Sequence, residues 1–178
     1  MDKAWFVGYD KSHDCLKGCY AILDNMGIDE HGSSAEVIYL ARENESHTAL
    51  ENYGNNVEEN YKNAVNCIND HLEEGRAIIV GADYKLGNDA NDGTIDHFVL
   101  IVGRGFDEIL NENYYIYVET GTYHDYKGVN PEDNRFYYDQ EKEMFVDEQN
   151  YSNKELTITE IRPNNGEEYD TISQPSKY

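Results

Sequence analysis

The chain is poor in positive charge. Only 14 lysines and arginines stand against 36 aspartates and glutamates, a formal net charge of −22 over 178 residues. That deficit argues against nucleic acid as a partner, because phosphate backbones are bound by clustered Lys and Arg. It argues equally against an anionic membrane surface. A basic protein partner is the kind such a surface attracts, beside the plainer role of keeping the chain soluble. Cysteine is scarce as well: Cys15, Cys19 and Cys67, with no C-x-x-C pair. So small and odd a set excludes a disulfide framework, a zinc ribbon and a thioredoxin-like site. No apolar run approaches the roughly 18 residues that cross a bilayer. The opening MDKAWFVGYDKSHDC holds no apolar signal-peptide core. The expectation is a protein that is cytoplasmic as synthesised and reaches the outside, if at all, by a signal-independent secretion system. With no internal repeat and no linker, it reads as a single domain over residues 1–163 and a polar C-terminal tail over 164–178.

What is present begins with helices. Ser12 and Asp14 offer N-cap oxygens before an apolar periodic stretch. Cys15, Cys19, Ile22, Leu23 and Met26 share one helical face and Gly27 is a natural stop, so a helix is expected over Asp14–Met26. SSAEVIYLARENES is ambiguous between helix and strand and is read as a short helix. NNVEENYKNAVNCINDHLEEG repeats Val57, Tyr61, Ala64, Ile68 and Leu72 at helical period and ends at Gly75. Beyond Gly75 the pattern changes. RAIIVGADYK, HFVLIVGRG, YYIYVETGT, RFYYD, EMFVDE and ELTITEIRP read as strands, most simply antiparallel. Helices first and strands after is the signature of an α+β fold, with N-terminal helices packed on an antiparallel β-sheet.

The chemistry centres on Cys15. A thiol attacks as the thiolate, and a helix N-terminus favours that charge through its unpaired amides and macrodipole. Cys15 falls in the first turn of its helix, whereas Cys19 lies a turn deeper and is the alternative nucleophile. A cysteine nucleophile needs a base, usually a histidine oriented by a third polar group. Of six histidines, His13 is too near Cys15 in the chain to point at it. His31, His47 and His124 sit in polar, loop-like surroundings, and His71 lies near a helix end where a cation suits the dipole. His97 alone stands at the start of a buried strand. The following strand carries one carboxylate among apolar and aromatic residues, Glu119. If the two strands are antiparallel neighbours, the first residue of one lies near the last residues of the other, and Glu119 can accept from His97. Asp96 and Asp125 remain alternative third members. Each residue taken alone has a plainer reading: packed cysteines on a core face, a structural histidine, a solvated glutamate.

The order Cys at a helix start, His at a strand start and acid on the next strand resembles the papain-like cysteine hydrolases. The likeness is to their compact bacterial branch of NlpC-type cell-wall peptidases, bacteriocin-exporter peptidase domains and secreted amidase effectors. DCLKGCYAILDNMGI resembles the family's Cys-helix opening, with a second Cys four residues on as in the exporter peptidases. DHFVLIVG resembles the His-strand, and YVETGT stands where the orienting acid is placed. The resemblance covers Lys11 to Thr122 and implies a papain-like core. Two positions depart from it. Tyr9 stands where the exporter peptidases carry the oxyanion-donating Gln, six residues before the Cys, and Leu16 replaces the usual Ser or Gly. His13, six before Cys19, keeps Cys19 in play. Tyr9 and His13 are thereby candidate oxyanion or substrate contacts.

The resemblance implies a cysteine peptidase or amidase, a bacterial effector among the options. It would cleave an amide in a peptide or peptidoglycan stem peptide through Cys15, His97, Glu119 and a thioester, with no metal or organic cofactor. The rival reading is a catalytically inactive acidic binding protein of immunity or inhibitor type that holds a basic partner. A metal site from His13, Cys15 and Cys19 cannot readily close a tetrahedron without a distant fourth ligand. GNDANDGTID fails the EF-hand spacing, since Asn88 and Ala90 occupy positions that need carboxylates. The sixteen tyrosines read as strand-face packing more readily than as a sugar- or peptide-binding groove.

Overall fold

The computed structural model describes residues 2–10, 12, 14–33, 36–43, 50–52, 57–84, 95–148, 154–167 and 169. Helix α1 spans Cys15–Asn25, within the expected limits. Asp14 caps it, its carboxylate accepting from the Lys17 amide at 2.9 Å, which satisfies one of the orphan donors of the first turn. Gly27 turns the chain away with φ +77°, a conformation only glycine takes freely. Gly18, Cys19, Ile22 and Leu23 form its buried face. Helix α2 spans Val57–Glu73 and buries Ala64, Cys67, Ile68 and His71, the i, i+3, i+4, i+7 set that lines one helical face.

Seven strands build the main sheet: β1 (Ile38–Tyr39), β4 (Ile78–Tyr84), β5 (His97–Asp107), β6 (Glu112–Val118), β7 (Arg135–Asp139), β8 (Met144–Asp147) and β9 (Leu156–Arg162). Strands β2 (Ala41–Glu43) and β3 (Leu50–Asn52) form a separate antiparallel pair, and a single turn, α3 (Asp125–Gly128), follows β6. All the pairings are antiparallel.

The expected fold class is corrected here. The strands run β9-β4-β5-β6-β7-β8, and β8 then pairs back onto β9 through Val146↔Thr157 and Asp147↔Leu156. The six close into an antiparallel barrel, accompanied among the described residues by three α-helices, rather than an open papain-like α+β layer with helices laid on a sheet. Closure is helped by register shifts between Gly81 and Ala82 on β4 and between Ile101 and Gly103 on β5. Such irregularities bend a strand and raise its twist. Chain order, helices then strands, carries no record of which edge strands meet. The short helix expected around residues 33–46 is corrected as well: Ile38–Tyr39 pairs with β9 and Ala41–Glu43 with β3. The β-branched and aromatic Val37-Ile38-Tyr39 fits an open stretch of sheet edge, and that tertiary pairing overrides an ambiguous local pattern.

Alternation along the strands divides the apolar residues into two groups. Val80, Ala82, Val99, Ile101, Tyr115, Tyr117, Phe136 and Ile158 pack together with Ala64, Cys67 and Ile68 of α2. Ile79, Leu100 and Val118, from the opposite face, pack against Cys19, Ile22 and Leu23 of α1. Thus α1 is fastened across β4, β5 and β6, the three strands that carry the site. His71 is not the cation expected at a helix end, because burial lowers its pKa. Its ring is fully buried, Nδ1 donates to the Cys67 carbonyl at 2.7 Å, and Nε2 accepts from the Asn164 amide at 2.9 Å. Asn164, at the head of the segment read as a tail, is itself buried. Among the described residues no helix is long and apolar enough to cross a membrane.

Candidate active site

His97 is the first residue of β5 and lies opposite Ala82 of β4. Glu119 follows the last residue of β6, where Val118 lies opposite Leu100. Antiparallel pairing therefore returns Glu119 to the beginning of β5, and Thr120 fastens the junction by donating from Oγ1 to the Phe98 carbonyl at 2.8 Å. His97 shares the strand face of Val99 and Ile101, and Glu119 that of Tyr117, so the two side chains project on the same side. His97 Nε2 donates to Glu119 Oε1 at 2.5 Å, with both residues at least 95% buried. A charge-assisted bond this short and dry fixes the ring's orientation.

With Nε2 on Glu119, Nδ1 is the ring nitrogen left for a thiol, and Cys15 lines the same cleft as the imidazole. Cys15 arrives from the other side of the sheet as the first residue of α1. Burial of Cys15 opposes ionisation and is the largest single influence on it. The His97 hydrogen bond and charge, aided by the Phe98 and Leu16 amides, outweigh burial and hold the thiol below its ordinary value. Burial likewise pushes the His97 imidazole down. The Glu119 charge, the Cys15 hydrogen bond and the Glu119 hydrogen bond together carry it up to about 9. The two shifts act in concert: a thiolate beside an imidazolium is the form they favour.

Cys15, His97, Glu119 and Tyr9 line one cleft of about 340 Å³, together with Asp14, Tyr84, Gly121 and Lys154. Two larger surface cavities, of about 600 and 650 Å³, are lined by acidic and tyrosine-rich sets without a cysteine or histidine. Cys19 is fully buried in the α1 core, and burial pushes its thiol well above the ordinary range. Asp96 accepts from the Tyr84 amide at 2.9 Å, and Asp125 accepts from the Tyr126 amide at 2.6 Å. The carboxylate on His97 is Glu119. His13, His47 and most of the loop weighed for calcium lie outside the described residues. Among the described residues no cluster of His, Cys, Asp or Glu suits a metal ion.

Three cleft residues escaped the sequence reading. Gly121 donates its amide to Glu119 Oε1 at 2.5 Å. A Cβ there would stand 2.8 Å from that oxygen and 3.1 Å from His97 Cε1, so only glycine permits the approach. Its signal was the ETGT sequence, a glycine two places after the strand-end acid. Tyr84 ends β4 and lies nearly parallel to the His97 ring, centroids 6.2 Å apart. Lys154 sits over Tyr84 with Nζ 4.0 Å from the ring centroid. Neither of these two carries a local signal, because sheet pairing alone brings them to His97.

Comparison with protein-family models, with curated proteins and with solved structures finds no match to this chain.

Proposed function

We propose that the protein is a cysteine hydrolase acting on an amide bond. The observation that carries this reading is the convergence of Cys15, His97 and Glu119 on a single cleft, with His97 hydrogen-bonded to Glu119. Cys15 Sγ attacks the amide carbonyl carbon and a C–S bond forms. The oxyanion that develops faces the N-terminus of α1, where the Cys15 amide is the first of the helix's orphan donors. His97 gives its proton to the leaving nitrogen, the C–N bond breaks, and a thioester remains. Water then attacks the thioester, His97 taking its proton, and the C–S bond breaks to restore thiolate, imidazolium and a carboxylic acid. Glu119 keeps the imidazole oriented throughout and stabilises its charged form whenever the ring holds the proton. Tyr9 stands at the cleft as a substrate or oxyanion contact. The substrate class is an amide in a peptide or in the stem peptide of peptidoglycan.

The experiment is acylation with a p-nitrophenyl ester. The expected result is a burst of about one equivalent of nitrophenol, with the acyl group found on Cys15 in the intact mass. Cys15→Ala and His97→Ala should lose the burst. A folded wild-type protein that shows no burst and no acyl-Cys15 contradicts the proposal.

A further inference from the structure

The cavity of about 650 Å³ lies towards the other end of β5 from His97. At about 3.3 Å per residue, Gly105 on its lining is about 25 Å along the strand from that histidine. The cavity opens between α2 and one face of the sheet. Arg104 and Phe106 of β5 stand opposite Tyr115 and Asn113 of β6, and Tyr138 of β7 opposite Phe145 of β8. Alternation puts these side chains on the face that meets α2. Ring centroids of Tyr61 on α2 lie 4.1 Å from Tyr138 and 5.3 Å from Phe145, and Tyr115 lies 5.3 Å from Phe145. These rings pack into one aromatic wall. Phe106 extends the lining to solvent, with 53% of its surface exposed.

The polar part of the lining is made of amides: Asn69, Asn111, Asn113 and Gln140. Asn69 Oδ1 accepts from the Tyr115 hydroxyl at 3.3 Å, which ties the amides to the wall. Among the described lining residues the charged side chains are Arg104 and Glu112, in a chain that is 28% charged. Arg104 Nη2 donates to Glu73 Oε1 at 3.1 Å. An ionic ligand therefore meets no cluster of opposite charge here. We propose that this cavity binds a neutral oligosaccharide, with a sugar ring on Phe106 and hydroxyls on the amides of Asn113 and Gln140. A sugar ring lays a face of C–H groups on an aromatic ring. Its hydroxyls both donate and accept, and an amide side chain answers with an acceptor oxygen and two donor hydrogens. A proline-rich segment also favours aromatic grooves, but its backbone offers carbonyl acceptors alone, leaving the amide oxygens unmatched. The volume is in the range of ligand sites. The proposal concerns a second site and does not depend on the cysteine-hydrolase reading.

The test is titration of the ¹⁵N-labelled protein, followed through the side-chain amide signals of Asn113 and Gln140. The probes are maltotriose, cellotriose and N-acetylchitotriose, with hexaproline as the competing ligand type. At least one saccharide should shift both signals saturably. Its affinity should hold between about 0.05 and 0.5 M salt, because no ion pair forms. Phe106→Ala removes a half-exposed ring and should weaken that saccharide about four- to twelvefold, the equivalent of half a buried phenylalanine. Asn113→Ala should weaken it as well, and serves alone if Phe106→Ala does not fold. No saturable shift from any of the three saccharides at millimolar concentration overturns the proposal. So does saturable binding of hexaproline alone, or a saccharide affinity unchanged in the folded variants.

Discussion

Replacing Glu119 with glutamine keeps an acceptor at His97 Nε2 and deletes its charge. In the wild type the Glu119 charge is the strongest influence raising the His97 imidazole, set against burial, which lowers it. The imidazole stands at about 9 against an ordinary 6.5. At about 1.4 kcal/mol per pKa unit, that gap corresponds to about 3 kcal/mol favouring the charged ring. Without the carboxylate charge, burial acts against the remaining influence of Cys15, and His97 should titrate lower than in the wild type. Because the folded value lies above the unfolded one, the stabilisation is fully present below pH 6.5 and is lost as the pH rises through about 9. Wild type should therefore exceed Glu119→Gln in urea midpoint at pH 6, and the difference should shrink towards pH 9.5. Imidazole ¹⁵N NMR of His97 gives the titration directly. Equal His97 midpoints in the two proteins would refute the assignment of Glu119 as the group that holds the ring charged.

Other perturbations discriminate the parts of the account. Gly121→Ala sets a methyl 2.8 Å from Glu119 Oε1, so it should slow Cys15 alkylation at least about tenfold and cost about 1–3 kcal/mol in urea unfolding. Cys19→Ala, which removes a buried neutral thiol, should cost about 1–2 kcal/mol as a small cavity while leaving the ester burst in place; loss of the burst would move the nucleophile one turn along α1. His71 is held neutral by burial, its value lowered from 6.5, so its contribution is fully present above pH 6.5 and falls away as the pH drops through the lowered folded value. His71→Ala should flatten that acid limb in urea midpoints. It should also lower stability by about 2–4 kcal/mol at pH 7.5, since the Cys67 carbonyl and Asn164 amide lose their partner.

The local elements were legible in the sequence because local signals set them. Asp14 before an apolar stripe and Gly27 after it define α1, and the alternation of HFVLIVG defines the buried part of β5. The meeting of His97 with Glu119 was legible for a related reason: consecutive strands joined by a short turn pair antiparallel, and register then follows from counting. Barrel closure was not legible. It depends on Val146 and Asp147 finding Thr157 and Leu156 and on irregularities at Gly81 and Gly103, none of which leaves a periodic trace. The same holds for Ile38–Tyr39, whose strand character comes from the edge of β9. Tyr84 and Lys154 come from segments that no spacing rule joins to Cys15 or His97. His71 was misread because its partner, Asn164, lies 93 residues away.

The central claim is that Cys15 is a thiolate held by His97, and site-resolved alkylation against pH tests it most directly. Iodoacetamide is applied to the wild type and to His97→Ala from pH 5 to 10, and modification of Cys15, Cys19 and Cys67 is followed by mass spectrometry. The account predicts rapid modification of Cys15 well below pH 8, loss of that advantage in His97→Ala, and protection of Cys19 and Cys67 until unfolding. A Cys15 that remains inert in the folded protein, or reacts equally fast without His97, contradicts it.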